Sequence, residues 1–300
     1  MGVKFLIDFK KPQRRDRLEN GLLFKGNNDS AVILIHGLTG TPNEMKFSAN
    51  FLSREGYSVI CPRLANHGEP MGILKTTKWQ EFYESVRKTL LGLVSENRYR
   101  TVFAAGLSMG ALLALLLADE FPDVISGVSC LSPTLFYDGW NIPWTKIMLP
   151  LAYWTPLRQF LYFKEEPPYG IKNEAIRQRV HEYYENASLN NLDSVTKYGY
   201  PYFPATLFRE LRLLIQHLTK RFSSITVPVQ LIQAENDDLT SIKNSQYIYD
   251  RIHSEIKEMV LLHDSYHVIT ADQEREKVAV KMFEFFNRIN NNQYAKGVKQ

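Results

Sequence analysis

Short runs of apolar residues alternate along this chain with longer stretches in which apolar positions recur every three or four residues. "AVILIHG" (31–37), "YSVICP" (57–62), "TVFAAG" (101–106), "VISGVSCLSP" (124–133), "VPVQLIQA" (227–234) and "EMVLLH" (258–263) have the length and apolar content of strands, the first of them a buried one. Between them the pattern predicts helices over 43–56, 79–96, 111–121, 241–253 and 272–289. Strand followed by helix, repeated, predicts an α/β fold: a mostly parallel central sheet with helices on both faces.

The alternation is interrupted once. Residues 135–222 hold 9 of the 16 tyrosines, 3 of the 4 tryptophans and 7 of the 14 prolines, and a structureless loop of that length does not fit a compact domain. They are expected to form an inserted, mostly helical subdomain, with its clearest helices at 173–186 and 205–222. The domain reading is thus a core of 1–134 and 223–300 and a cap of 135–222. The very apolar part of the insertion, 142–163, is broken by three prolines, Lys146 and Arg158. It is expected to cover a greasy pocket, with peripheral membrane contact as the lesser alternative.

Composition changes this picture little. The hydrophobic fraction of 44% and charged fraction of 23% are those of an ordinary globular protein. The formal net charge of +4 is concentrated in "KKPQRRDR" (Lys10 to Arg17), five bases and one acid, expected to be a solvated arm. No aromatic residues interleave with those bases, which argues against nucleic-acid binding. Cys61 and Cys130 each close a predicted strand and read as buried thiols, not as a disulfide framework. The N-terminal apolar run, interrupted by Lys4 and Asp8, is too short for a secretory signal. No stretch of about 18 apolar residues predicts a transmembrane helix. A cytoplasmic location is the expectation.

The candidate chemistry lies at strand ends. "GLSMG" (106–110) fits G-x-S-x-G, which arises by chance in roughly one chain in ten of this length. Its place between a predicted strand and a predicted helix makes it informative, because there a sharp turn lifts a serine hydroxyl out of the sheet. Ser108 is the candidate nucleophile, and the N–H of Met109 is a candidate oxyanion donor. A second near-match at Gly127–Leu131 lacks the final glycine. A serine needs a base, itself held by an acid. "ENDD" after the strand at 227–234 offers Asp237 or Asp238, and "YH" after the strand at 258–263 offers His267. His263 and His267 stand four apart without a third ligand in zinc spacing, so no metal is called for. "HGLTGTP" (36–42) follows the first buried strand, and the N–H of Leu38 is the second candidate oxyanion donor.

These motifs, "HGLTGTP", "GLSMG", "QAENDD" and "HVITAD" in that order, resemble those of the α/β hydrolases, in particular bacterial carboxylesterases and monoacylglycerol lipases. The resemblance covers roughly 20–134 and 223–300. "RLANHGEP" (63–70) is similar to the group's glycine-rich loop, with Asn66 where glycine is commoner, and Tyr266 stands where many relatives have glycine. It implies a Ser108–His267–Asp237 triad, with Asp237 preferred over Asp238 because an apolar residue, Leu239, follows at the second position. It also implies a cap over the site. The aromatic, proline-rich composition of 135–222 suggests a small ester with an apolar acyl chain or aromatic substituent as substrate, and triad chemistry needs no cofactor. A thioesterase, an aminopeptidase using the same triad, and a non-catalytic binding protein on this fold are the alternatives.

Overall fold

A computed structural model describes residues 3–5, 21–142, 149–186, 195 and 199–297. The basic tract at 10–17 lies outside the described residues, as does part of the apolar stretch 142–163.

The elements follow the predicted alternation. In chain order they are β1 (Val3–Phe5), β2 (Leu22–Phe24), β3 (Ser30–Ile35), α1 (Lys46–Arg54), β4 (Ser58–Cys61), α2 (Met71–Leu74), α3 (Trp79–Ser95), β5 (Thr101–Leu107), α4 (Met109–Glu120) and β6 (Ile125–Leu131). The insertion contributes α5 (Leu149–Trp154), β7 (Leu161–Lys164), α6 (Glu174–Asn186), β8 (Tyr202–Pro204) and α7 (Ala205–Thr219). Then come β9 (Val229–Ala234), α8 (Lys243–Tyr249), β10 (Lys257–Leu262) and α9 (Arg275–Gly297).

Seven strands form the central sheet in the order β10-β9-β6-β5-β3-β4-β2. Every pairing is parallel except that of β2 with β4, where Leu23 stands opposite Ile60. Side chains alternate between the two faces, as the period of two demands. Ala31, Ile33 and Ile35 of β3 face the layer built from α3, α4, α7 and α8. Val32 and Leu34 face α1 and α9, where Met282, Phe285 and Phe286 pack. Both faces are covered, so the central strands read as continuous apolar runs.

Helix α4 has no polar stripe. Every residue from Met109 to Ala118 is buried, because the helix lies on β5 and β6 beneath α3 and α7. Each buried leucine there contributes about 1.5–3 kcal/mol relative to exposure. Helix α1 begins one turn later than the sequence pattern suggests: Thr41 caps a 3-10 turn at Pro42–Met45, accepting from the N–H of Asn43 at 3.2 Å.

The insertion departs from a helical expectation in one respect. β7 and β8 pair antiparallel and recruit β1 from the N-terminal segment, with Val3 opposite Phe163. The alternation of Leu161, Tyr162, Phe163 and Lys164 is too short to stand out against the surrounding aromatic sequence, and only the pairing reveals it. Within the insertion, α7 packs into the core: Leu207, Leu211, Leu214 and Leu218 join the same cluster as α4.

Candidate active site

The chain after β5 reverses in a single residue. Ser108 has φ +58° and ψ −116°, a left-handed conformation that costs a non-glycine residue about 1–3 kcal/mol. Its N–H is anchored on the carbonyl of Leu131 at 2.9 Å. The flanking glycines make the turn possible. A Cβ on Gly106 would sit 2.1 Å from the carbonyl carbon of Gly110, and one on Gly110 would sit 2.3 Å from the oxygen of Ile35. Strand, turn and helix therefore touch backbone to backbone. The near-match at 127–131 has no such turn: Ser129 is buried mid-strand and bonds Gln230 at 2.8 Å.

The loops after β3, β9 and β10 meet Ser108. His267 and Ser108 line one cavity of about 730 Å³. His267 Nδ1 lies 2.9 and 3.1 Å from the two carboxylate oxygens of Asp237. That carboxylate also accepts from the N–H groups of Leu239 (2.9 Å) and Thr240 (2.8 Å), the Thr240 hydroxyl (3.0 Å) and the Gln233 amide (2.8 Å). Asp238, the alternative acid, does something else: its carboxylate accepts the backbone N–H of His267 at 3.2 Å and of Gly170 at 3.1 Å. It ties the histidine loop to the insertion.

Burial pulls the imidazole of His267 toward neutrality, but the charge and hydrogen bond of Asp237, helped by Asp238 and Glu44, outweigh it and raise its pKa above the ordinary value. The hydroxyl of Ser108 is hydrogen bonded to Thr134 Oγ1 at 2.8 Å. The N–H groups of Leu38 and Met109 have no acceptor among the described residues. Leu38 is held from behind, its carbonyl accepting from Nε2 of His67 at 2.8 Å. His67 packs edge-on against His36, and burial lowers both their pKa values, which keeps them neutral. Asn66, in the same loop as His67, has φ +59°, which explains why glycine is common at that position.

Two cavity residues escaped the sequence reading. Glu44 accepts the N–H of Gly37 at 3.1 Å, and Glu165 accepts the hydroxyl of Thr39 at 3.1 Å. Burial pushes both carboxyls up to about 7. In sequence each looks like an ordinary surface acid, Glu44 in the first turn of a helix and Glu165 beside Lys164. His263, by contrast, sits at the surface with Glu235 at 2.8 Å. Cys61 and Cys130 are buried free thiols.

A serine on a left-handed strand-to-helix turn, facing the same cavity as a carboxylate-held histidine, is the arrangement of nucleophilic hydrolases. A profile of the family described as serine aminopeptidase, S33, matches residues 26–274. The chain belongs to this family of α/β hydrolases. Among this hydrolase's relatives, the thermostable monoacylglycerol lipase of Bacillus sp. (strain H-257) is 29% identical over 260 residues, 87% of this chain and 91% of that one. A carboxylesterase of Bacillus subtilis (strain 168) is 26% identical over 266 residues, 89% of this chain and 95% of that one. The crystal structure of the Paleococcus ferrophilus monoacylglycerol lipase shares the fold, with a TM-score of 0.72 at 19% identity over 89% of this chain and 98% of that one. Among the described residues, no helix of the hydrolase is long and apolar enough to cross a membrane.

Proposed function

We propose that this ester-hydrolysing α/β hydrolase cleaves carboxylic esters of apolar acyl chains through Ser108, His267 and Asp237. The observation that carries the reading is the left-handed Ser108 opening on the same cavity as His267, whose Nδ1 is fixed by Asp237. With Nδ1–H donated to that carboxylate, Nε2 is the basic nitrogen. It takes the proton of Ser108 as Oγ, turning from Thr134, bonds to the ester carbon. The carbonyl oxygen becomes an oxyanion, received by the N–H groups of Leu38 and Met109. The imidazolium, stabilised by Asp237, returns the proton to the leaving alkoxide as the C–O bond breaks. Water, deprotonated by the same nitrogen, then releases the acid and restores Ser108.

The insertion 135–222 serves as the cap. Leu161, Phe163, Phe203 and Phe208 line the cavity from that side, an apolar surface suited to an acyl chain. Peptide N-termini are the second substrate class, since the family takes its description from aminopeptidases. Hydrolysis of p-nitrophenyl esters from acetate to palmitate, by wild type and Ser108→Ala in parallel, tests the reading. A chain-length optimum that Ser108→Ala abolishes is expected; substantial activity in the variant defeats the mechanism.

A further inference from the structure

Ten large apolar side chains are exposed among the described residues, and four of them fall within one stretch of ten residues. Leu151 is 62% exposed, Trp154 46%, Leu157 57% and Phe160 56%. Leu151 and Trp154 belong to α5, Leu157 to the 3-10 turn Pro156–Gln159 that follows, and Phe160 caps that turn. Such a row is a poor surface to leave in water, and its clustering marks a contact site.

Beside the row opens a second cleft, of about 350 Å³, whose lining includes Phe160 itself and four cations, Lys75, Lys78, Arg158 and Arg209. The one acid there, Glu210, is buried and paired with Arg209 at 2.9 Å and Lys78 at 3.6 Å. Four positive charges less one negative leaves the cleft at +3. The cations are held in place. Lys75 donates to the hydroxyl of Tyr162 at 3.0 Å, Arg158 to the carbonyl of Thr155 at 2.8 Å, and Arg209 lies over the ring of Trp154 at 5.4 Å. The hydroxyl oxygen of Thr206, on the wall of the same cleft, is buried and has no hydrogen-bond partner among the described residues.

We infer that this face docks the protein on a bilayer containing anionic phospholipid, the apolar row entering the interface and the cationic cleft receiving lipid phosphates. Charge complementarity selects the occupant: aromatic and aliphatic side chains flanked by fixed cations match an interface with apolar tails below anionic headgroups. A neutral apolar protein partner would leave the +3 cleft uncompensated. The placement also has a consequence for the substrate. β7 is the wall between the two sides: Leu161 and Phe163 face the catalytic cavity, while Tyr162 is held by Lys75 of the cleft. Docking would set the cavity within one strand of the lipid surface.

The test is flotation of the full chain with vesicles of phosphatidylcholine alone and with phosphatidylglycerol added, at low and high salt. Binding to the anionic vesicles, weak binding to the neutral ones and release by salt are expected. Arg158→Glu changes the cleft by two charges and should weaken binding about thirtyfold, at about fivefold per charge. Leu157→Asp should weaken it comparably, and neither should alter hydrolysis of a water-soluble ester. Equal binding to both vesicle types, no binding to either, or wild-type binding by Leu157→Asp overturns the proposal. Inorganic phosphate should compete no better than chloride at equal ionic strength; specific competition would make the cleft a soluble-anion site instead. A dimer in sedimentation that Leu157→Asp dissolves would assign the face to a second copy of the chain and equally overturn it.

Discussion

The carboxyl of Glu44 offers a measurable link between the cavity and stability. Burial holds it near 7 where 4.5 is ordinary, against the opposing pulls of the Gly37 N–H and the positive charge of His267. The folded protein thus favours the protonated form. The stabilising contribution of that proton is whole below pH 4.5 and is lost as pH rises through about 7. A displacement of this size corresponds to about 3 kcal/mol, which the partial exposure of the side chain to the cavity reduces to about 2 kcal/mol. Glu44→Gln keeps an oxygen for the Gly37 N–H but cannot ionise. His267, whose pKa is also raised, loses stability in the same direction with rising pH. Only the difference between wild type and variant isolates Glu44. Urea unfolding at intervals between about pH 5 and about pH 9 should show wild type falling more steeply, with Glu44→Gln ahead by about 2 kcal/mol at the alkaline end. Parallel stability curves for the two proteins would refute the claim that Glu44 is buried at a cost.

Asp237→Asn should leave the protein folded but lower kcat by about 10³–10⁴, because an uncharged amide cannot stabilise the imidazolium and, with its oxygen held by the N–H groups of Leu239 and Thr240, turns its NH2 toward Nδ1 and favours the wrong tautomer; near-normal turnover of a soluble ester would contradict the assignment. The pH profile of kcat/KM should rise through an inflection above 6.5, since His267 must lose its proton to act and Asp237 favours its charged form. An inflection below 6.5 would count against that electrostatic balance. Gly110→Ala places a methyl 2.3 Å from the carbonyl oxygen of Ile35, between backbones that cannot part without moving β3 from α4. A loss of about 3 kcal/mol or more in chemical unfolding is expected, and a stable, active variant would show that the backbones around the Ser108 turn can part.

Much of the site was legible because its chemistry sits at punctuation marks. Ser108 lies where a short strand-length run ends at a glycine and a longer Leu/Ala helical run begins, and Asp237 and His267 each follow a strand by a few residues. In a parallel sheet the carboxyl ends of the strands lie on one edge, so strand-end residues far apart in sequence converge. Glu44, Glu165 and Thr134 carry no such mark. An acid in the first turn of a helix is ordinary, and nothing local says that Glu44 will end half-buried in a cavity shared with the insertion.

The sequence by itself determined the alternation of strand and helix, the two-sided burial of the sheet and the turn at Ser108, because those follow from local periodicity and from glycines that admit no side chain. The resemblance already preferred Asp237 to Asp238, and the tertiary structure adds what each carboxylate touches. Both carboxylates leave the turn after β9 and reach His267, and only the position of the histidine loop says which meets Nδ1 and which meets a backbone N–H. Tertiary structure alone decided that β1, from the far end of the chain, completes the sheet of the insertion. Pairing partners are chosen by which edge is left open, and no local pattern encodes that.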